Sequence, residues 1–268
     1  MGRIVGVDVG ATLCKIVPLD APEAAVHCPS AAVRDVQAHV MAQAPARVGA
    51  TGAGASRLEV ALPGLPVVTV GEFAAWAAGA PLMATADGLA LPPRYLLASI
   101  GTGTSILAVG EGSPVRVGGT AVGGGTFMGL GRLLLGETSF ERLAALAAAG
   151  DRRHVDLLVG DVYGDVSAPL GDDLTAANFA KLQSLAREDL AAALAQLVGE
   201  TVALMATALA RGGGYATVVY CGSTLLGNPA LAAVLDDITR RFGAEPRFLA
   251  RGAFCGAIGA AALAAAAP

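Results

Sequence analysis

The chain has 268 residues, enough for one large or two modest domains with a substantial core. Its 54% hydrophobic and 15% charged residues exclude a disordered chain, and its net charge of -4 leaves no broad basic surface for nucleic acid. Four separated cysteines and three isolated histidines lack the spacing of a zinc site or a disulfide framework, which favours a cytoplasmic protein.

The first half of the chain alternates strands and helices around one glycine-bearing turn. The chain passes almost directly from Met1 into a strand over 4–9, so we expect no secretory signal peptide. A polar turn, 8–12, joins that strand to a second one over 13–19. Next come a predicted helix over 31–44, strands over 47–51 and 67–70, and an alanine-rich helix from Gly71 to about Ala78.

The most distinctive stretch, 95–131, contains two glycine-rich turns between apolar runs. Strands over 96–100 and 105–109 flank the turn 101–104. Glycine lets the main chain approach an anion closely, and successive N–H groups and hydroxyls supply donors, so this pattern predicts a phosphate-binding hairpin. A second glycine cluster, 118–126, opens a predicted helix over 127–135, whose start is a further candidate anion site. Ordinary tight turns are the alternative interpretation of each cluster.

The segments VGVDVGATLCKIV and LASIGTGTSILAV share the order strand, glycine-bearing hydroxyl turn, strand. This similarity predicts an internally duplicated protein whose two lobes each present one hairpin to a shared cleft. We expect the lobes to comprise 1–93, with the first hairpin, and 94–268, with the second, closing on each other by a hinge.

The rest of the chain continues the alternation and favours an α/β protein over a helical bundle. Helices are predicted over 132–135 and 139–148, then a polar segment over 150–173, a helix beginning within 174–181 and a long amphipathic helix over 184–210. A strand over 217–221, a turn, a helix over 229–242 and a strand over 247–249 follow. The final apolar helix, 253–267, is short for a bilayer span, so we expect no membrane partner.

Common nucleotide motifs are absent from the sequence. The only lysines are Lys15 and Lys181, and neither follows a glycine, so no Walker A sequence exists. The protein-kinase motifs H-R-D and D-F-G do not occur. A Rossmann fingerprint requires a helix after its glycines, whereas a predicted strand follows Gly103.

The pattern Asp8-x-Gly10-x-Thr12 resembles the first phosphate turn of the sugar kinase, Hsp70 and actin superfamily. A closer resemblance, to the type II (staphylococcal and eukaryotic) pantothenate kinases, runs in order over nearly the whole chain. It is carried by GVDVGATLCKIV, VGEFAAW, SIGTGTSILAV, RVGGTAVGGGTFMGLG, DLLVGDVYG, GDDLTAANFAK, CGSTLLGNPAL and GAFCGAIGA.

The resemblance implies a duplicated, two-lobed α/β fold of the actin-like ATPase, or ribonuclease H-like, type. It also implies ATP-dependent phosphorylation of pantothenate to 4'-phosphopantothenate, the first step of coenzyme A biosynthesis, with ATP and Mg²⁺ as cofactors. A homodimer is expected by the same resemblance. The helix over 184–210 is a candidate interface, although its apolar face is equally compatible with an ordinary core.

By resemblance, Glu72 in VGEF is the catalytic base and Arg116 offsets charge on the transferring phosphoryl group or the substrate. Glu72 begins a predicted helix, a position that favours any carboxylate and would keep it ionised. Asp8 would meet Mg²⁺ through water, although an Asx turn is the plain alternative. Lys15 would meet phosphates, and Ser105, Arg116 and Tyr163 would bind pantothenate. The implied nucleotide-binding positions are Asp8, Gly10, Ala11, Thr12, Leu13, Lys15, Gly101, Thr102, Gly103, Gly123, Gly124, Gly125, Thr126, Phe127, Met128, Phe140, Gly222 and Ser223.

One position departs from the family pattern. The relatives usually carry D-x-G-G-T where this chain has Ala11. A methyl group there is tolerable if Ala11 has negative φ and would crowd the phosphate otherwise. Two alternatives to a pantothenate kinase remain: an N-acetylhexosamine-type or other sugar kinase, which would be expected to use an aspartate as base, and a non-catalytic nucleotide-binding regulator.

Overall fold

The computed structural model describes residues 2–164 and 171–267, and two five-stranded sheets organise them. The strands in chain order are β1 (Ile4–Val9), β2 (Leu13–Pro18), β3 (Val26–Pro29), β4 (Arg47–Thr51), β5 (Val67–Thr69), β6 (Tyr95–Ile100), β7 (Thr104–Val109), β8 (Val115–Thr120), β9 (Leu157–Leu158), β10 (Thr175–Ala177), β11 (Thr217–Cys221) and β12 (Glu245–Phe248). The first sheet has the order β3-β2-β1-β4-β5, and the second has the order β12-β11-β6-β7-β8.

The two sheets repeat one topology. Each begins with three consecutive antiparallel strands, β1-β2-β3 or β6-β7-β8, and continues with two strands parallel to the first of these. The β1–β2 pair is the first hairpin, and the β6–β7 pair is the equivalent second hairpin. This repetition confirms the predicted duplicated α/β fold.

Nine α-helices accompany the sheets in the described part of the chain. They are α1 (Val33–Ala42), α2 (Ser56–Ala61), α3 (Glu72–Ala86), α4 (Gly124–Leu135), α5 (Phe140–Ala149), α6 (Val159–Tyr163), α7 (Arg187–Gly213), α8 (Pro229–Arg241) and α9 (Cys255–Ala266). Helix α3 continues to Ala86 rather than ending near Ala78, and Pro81 lies inside it. Its packing along α9 outweighs the hydrogen bond that the proline cannot donate.

Several local predictions are wrong. The segment predicted to start a helix within 174–181 contains strand β10, because Thr175 and Ala177 pair with β9. Residues 118–120, predicted as the first part of the second glycine cluster, belong instead to strand β8 along the edge of the second sheet. Strand β3 and helix α2 were not predicted. Part of the predicted polar segment 150–173, namely 165–170, lies outside the described residues.

The last helix returns to the first sheet. Helix α9 packs against β1, β4 and α3. Helices α3 and α9 approach so closely that a Cβ added at Gly79 would collide with the carbonyl oxygen of Cys255, and one at Gly259 with that of Ala75. The division of the chain at residue 93 separates the two sheets and stays a prediction, with α9 crossing back to the earlier part.

Helix α7 is a core helix of the second sheet. It packs against α5 and α8, and its inner face buries Leu194, Val198, Val202 and Ala206. By length and composition alone α7 is long and apolar enough to cross a membrane, but 61% of its most apolar stretch is buried within the fold.

Candidate active site

A cavity of about 500 Å³ lies between the two hairpins. Its walls come from the β1–β2 turn, the start of α3, the β6–β7 turn, strand β8, the turn after β11 and the start of α9. A volume in this range suits a cofactor or substrate of nucleotide size. We call it the active-site cavity.

Asp8 and Lys15 form the floor at the first hairpin. They are directly opposite each other in the β1–β2 register, and Lys15 Nζ lies 3.6 Å from Asp8 Oδ2. Asp8 is only 5% exposed, and this burial raises its pKa even though Lys15 acts in the opposite direction. The carboxylate fits because residue 256 is glycine: a Cβ there would lie 2.8 Å from Asp8 Oδ2.

Hydrogen bonds stabilise the turn of the first hairpin, and the backbone conformation there accommodates Ala11. Ser30 Oγ donates a hydrogen bond to the Gly10 carbonyl oxygen at 2.7 Å, and the Gly10 N–H donates to Leu13 O at 3.1 Å. Among the described non-glycine residues, positive φ occurs only at positions 44, 179 and 182. Ala11 is not one of them, so its methyl group imposes no left-handed strain.

Glu72 is the first residue of α3 and lines the active-site cavity beside Asp8. Burial raises the pKa of Glu72, the Asp8 charge raises it further, and Lys15 offsets part of the shift. Desolvation and the Asp8 charge therefore shift this pKa in the direction opposite to that expected from the helix terminus, and the ionised state of Glu72 stays a prediction. A carboxylate with a raised pKa is a better proton acceptor near neutral pH.

A β-bulge in β8 determines the side on which Arg116 lies. In the β7–β8 register Ile106 pairs with Gly118, but Leu107 pairs with Arg116, leaving one residue of β8 unpaired. Directly paired residues share a face, so Arg116 joins the face that carries Ser105, and both line the cavity. A Cβ at Gly119 would collide with the Arg116 guanidinium and would lie 2.5 Å from Thr104 O.

The second glycine cluster supports the second hairpin from outside the cavity. Gly124 N–H donates to Gly101 O at 2.8 Å, and Gly125 N–H donates to Thr102 O at 2.9 Å. Thr224 Oγ1 also donates to Gly101 O, at 2.9 Å. The N–H groups of Gly124 and Gly125, at the start of α4, therefore hold the turn 101–104 in place rather than pointing at an anion.

The cavity brings together fourteen of the predicted site residues, namely Asp8, Gly10, Ala11, Thr12, Leu13, Lys15, Glu72, Gly101, Thr102, Gly103, Ser105, Arg116, Gly222 and Ser223. The remaining ones do not line it, namely Gly123, Gly124, Gly125, Thr126, Phe127, Met128, Phe140 and Tyr163. Phe127 is fully buried in the core, 6.0 Å from Phe140 between ring centroids. Tyr163 is 44% exposed at the end of α6.

Sequence reasoning missed several lining residues, among them Trp76 and Ser99. Trp76 follows Glu72 by four residues, a spacing that places two side chains on one helix face. Ser99 is the direct partner of Ser105 in the second hairpin. Gly252, Ala253, Cys255 and Gly256 also line the cavity, and they lie within the segment GAFCGAIGA, to which the sequence assigned no role.

The acidic groups of the cavity suit a magnesium ion that is shared with phosphates. Asp8 and Glu72 are the only carboxylates among the described residues that line it. No group of three or more His, Cys, Asp and Glu side chains that could hold a metal occurs in residues 2–164 and 171–267. Mg²⁺ is typically held by one or two carboxylates together with substrate phosphates and water, which matches this donor set.

The repeated sheets with a glycine-bearing hairpin on each side of a cleft define an actin-like fold. Solved structures share it. The (R)-2-hydroxyglutaryl-CoA dehydratase component A from Acidaminococcus fermentans has a TM-score of 0.65, 20% identity and 98% coverage of both chains. A ROK family glucokinase from Streptomyces griseus, in complex with glucose and AMPPNP, has a TM-score of 0.61, 17% identity and coverage of 99% of this chain and 100% of its own.

Sequence comparisons identify a family within this fold class. The Fumble family profile matches residues 80–263. A type II pantothenate kinase from Oceanobacillus iheyensis is 39% identical over 210 residues, which is 77% of this chain and 78% of the relative. Another type II pantothenate kinase, from Staphylococcus haemolyticus, is 34% identical over 262 residues, which is 96% of this chain and 98% of the relative. The chain belongs to the type II pantothenate kinase family.

Proposed function

We infer that this protein is an ATP-dependent kinase that phosphorylates the primary hydroxyl of pantothenate to give 4'-phosphopantothenate, the first step of coenzyme A biosynthesis. The observation that carries the inference is the placement of Glu72. Its carboxyl group shares one cavity with both hairpin turns and with Arg116. A base, a phosphate cradle and a cation are the parts that phosphoryl transfer to an alcohol requires.

The transfer follows from these groups. The Glu72 carboxylate accepts the hydroxyl proton of pantothenate as its oxygen forms a bond to the γ-phosphorus of ATP. The bond between that phosphorus and the β,γ-bridging oxygen breaks, and its electron pair leaves with ADP. The Arg116 guanidinium offsets the negative charge on the transferring group, and the raised pKa of Glu72 makes it a more effective acceptor.

We assign the ATP phosphates to the two hairpin turns. Main-chain N–H groups and hydroxyls of 101–104 and the Lys15 ammonium supply donors. Asp8 would hold Mg²⁺ through water, and the ion would neutralise phosphate charge during transfer. Gly222 and Ser223 would face the nucleoside, since they line the cavity beyond the second hairpin. Residues 123–128 and Phe140 do not line the cavity and would support the turn of the second hairpin from outside it.

The acceptor would lie between Glu72, Arg116 and Ser105, and Tyr163 is retained as a candidate contact to it. We also propose a cytoplasmic homodimer. Exposed apolar side chains support an interface along α7 and the edge strand β8: Leu204 is 37% exposed, Val115 is 59% exposed and Val117 is 39% exposed.

Glu72→Gln is the decisive variant. We expect its turnover with pantothenate and ATP to fall by about a thousandfold, because the amide cannot accept the proton, while ATP binding by calorimetry stays within about twofold. Glu59→Gln, at an exposed site on α2, is the matched control and should keep full activity. Unchanged turnover in Glu72→Gln would remove the base role.

A substrate panel distinguishes the two alternatives. ADP release in a coupled assay with pantothenate, glucose and N-acetylglucosamine identifies the acceptor class. Turnover with a sugar alone would make the protein a sugar kinase, and ATP binding without any acceptor-dependent turnover would make it a regulator.

A further inference from the structure

We propose that Trp76 determines acceptor specificity by packing its indole against the branched apolar carbon beside the reacting hydroxyl. The inference rests on the proposed function, because it takes pantothenate as the acceptor. It adds a residue that neither hairpin contains and gives a physical reason why this cavity prefers pantothenate to a sugar.

Trp76 stands one helical turn after Glu72 on the same face of α3. Residues separated by four positions in a helix have Cβ atoms about 5–6 Å apart, so the indole is the neighbour of the proposed base. Both side chains line the active-site cavity. An alcohol whose oxygen meets Glu72 therefore presents its next carbon atoms to Trp76.

Neighbouring side chains hold the indole in place. Its edge lies across Gly256 of α9, where an added Cβ would be 3.0 Å from both Trp76 Cδ1 and Nε1. The Phe73 ring packs beside it, with ring centroids 5.8 Å apart. The half-buried indole packs against the core cluster that contains Cys255 and also forms part of the cavity wall.

The side chains of the cavity wall favour one kind of chemical group next to the reacting hydroxyl of the acceptor. In pantothenate the hydroxymethyl group is attached to a quaternary carbon that carries two methyl groups. The cavity presents the polar side chains of Asp8, Lys15, Ser105 and Arg116, and Trp76 is the only aromatic residue among the described ones that line it. Contact with the indole removes the apolar surface of the two methyl groups from water, which is favourable. The hydroxyls of a sugar would lose their hydrogen bonds to water there and find no protein partner, which is unfavourable.

The test compares pantothenate with its analogue that lacks the two methyl groups, at saturating ATP. In the wild-type protein we expect kcat/KM to favour pantothenate by about tenfold or more, the discrimination typical of one or two methyl groups. In Trp76→Ala we expect the preference to shrink to about twofold or less, through loss of activity toward pantothenate alone. Trp76→Phe should keep most of it, because an aromatic face remains.

Three controls separate specificity from damage to the fold. The KM for ATP should stay within about twofold in every variant. Leu82→Ala, at an exposed site on α3 that does not line the cavity, should keep the preference of the wild type. Because Trp76 is the only tryptophan, the wild-type emission should shift on addition of pantothenate and less with the analogue.

Two results would overturn the inference, and they are distinguishable. If the wild-type protein phosphorylates pantothenate and Trp76→Ala keeps the full preference over the analogue, the role of Trp76 is wrong and the proposed function stands. If the wild-type protein does not phosphorylate pantothenate at all, the proposed function fails and this inference fails with it.

Discussion

The ion pair between Lys15 and Asp8 offers a direct test of how the active-site charges are balanced. Lys15→Met keeps the aliphatic stem and removes the ammonium group 3.6 Å from Asp8 Oδ2. The side chains are 12% and 7% exposed, so the charge on Asp8 would be left in a nearly dry site. We expect the free energy of unfolding to fall by about 3 kcal/mol at pH 8, the usual cost of stranding a buried charge.

The loss of stability in Lys15→Met should depend on pH. The folded-state pKa of Asp8 is already raised from 3.8 by burial, so its contribution to stability is full below pH 3.8 and is lost as the pH rises through the folded-state value. Removing Lys15 raises that pKa further, because Lys15 is the group that lowers it. Protonation of Asp8 therefore neutralises the stranded charge at lower pH, and the destabilisation at pH 5 should be clearly smaller than at pH 8.

Urea unfolding followed by tryptophan emission, at pH 5 and pH 8, measures both values. The other lysine gives the matched control. Lys181 pairs with Asp161 at 2.7 Å, with side chains 19% and 29% exposed, and this pair lowers the pKa of Asp161. Lys181→Met should cost clearly less stability than Lys15→Met at pH 8, because this more exposed pair is screened by solvent.

A double variant isolates the pair. Asp8→Asn combined with Lys15→Met removes both charges of the pair and should recover most of the stability lost in Lys15→Met alone. An equal loss in Lys15→Met at pH 5 and pH 8 would refute the account of a stranded, titrating Asp8.

Two further substitutions test close approaches in the fold. Gly119→Ala should lower kcat about tenfold, because the added methyl group would displace the Arg116 guanidinium. Gly112 also has positive φ but no neighbour within 4 Å, so Gly112→Ala should leave kcat unchanged. Equal kcat values for the two variants would contradict the placement of Arg116. Gly259→Ala should lower the free energy of unfolding by about 3 kcal/mol because its methyl group would collide with the Ala75 carbonyl, whereas Gly129→Ala, in open space on α4, should raise it by about 0.5 kcal/mol. Calorimetric unfolding of both glycine variants checks the second pair, and a stable Gly259→Ala would show that α3 and α9 can separate without cost.

Local patterning in the sequence was sufficient to define the two hairpins. Apolar runs around glycine and hydroxyl residues form β1–β2 and β6–β7 with turns close to where they were predicted, since strand alternation and turn chemistry are properties of neighbouring residues. The duplication could be predicted for the same reason. Glu72 was found through its motif, and fourteen of the predicted site residues meet in one cavity.

Tertiary structure decided what neighbouring residues cannot. Strands β8 and β10 exist because each pairs with the strand that precedes it, β7 or β9, and the bulge opposite Leu107 turns Arg116 into the cavity. The continuation of α3 through Pro81 depends on α9, which is far away in the chain. The raised pKa of Glu72 has the same origin, because burial and the distance to Asp8 arise only when sheet and helices assemble.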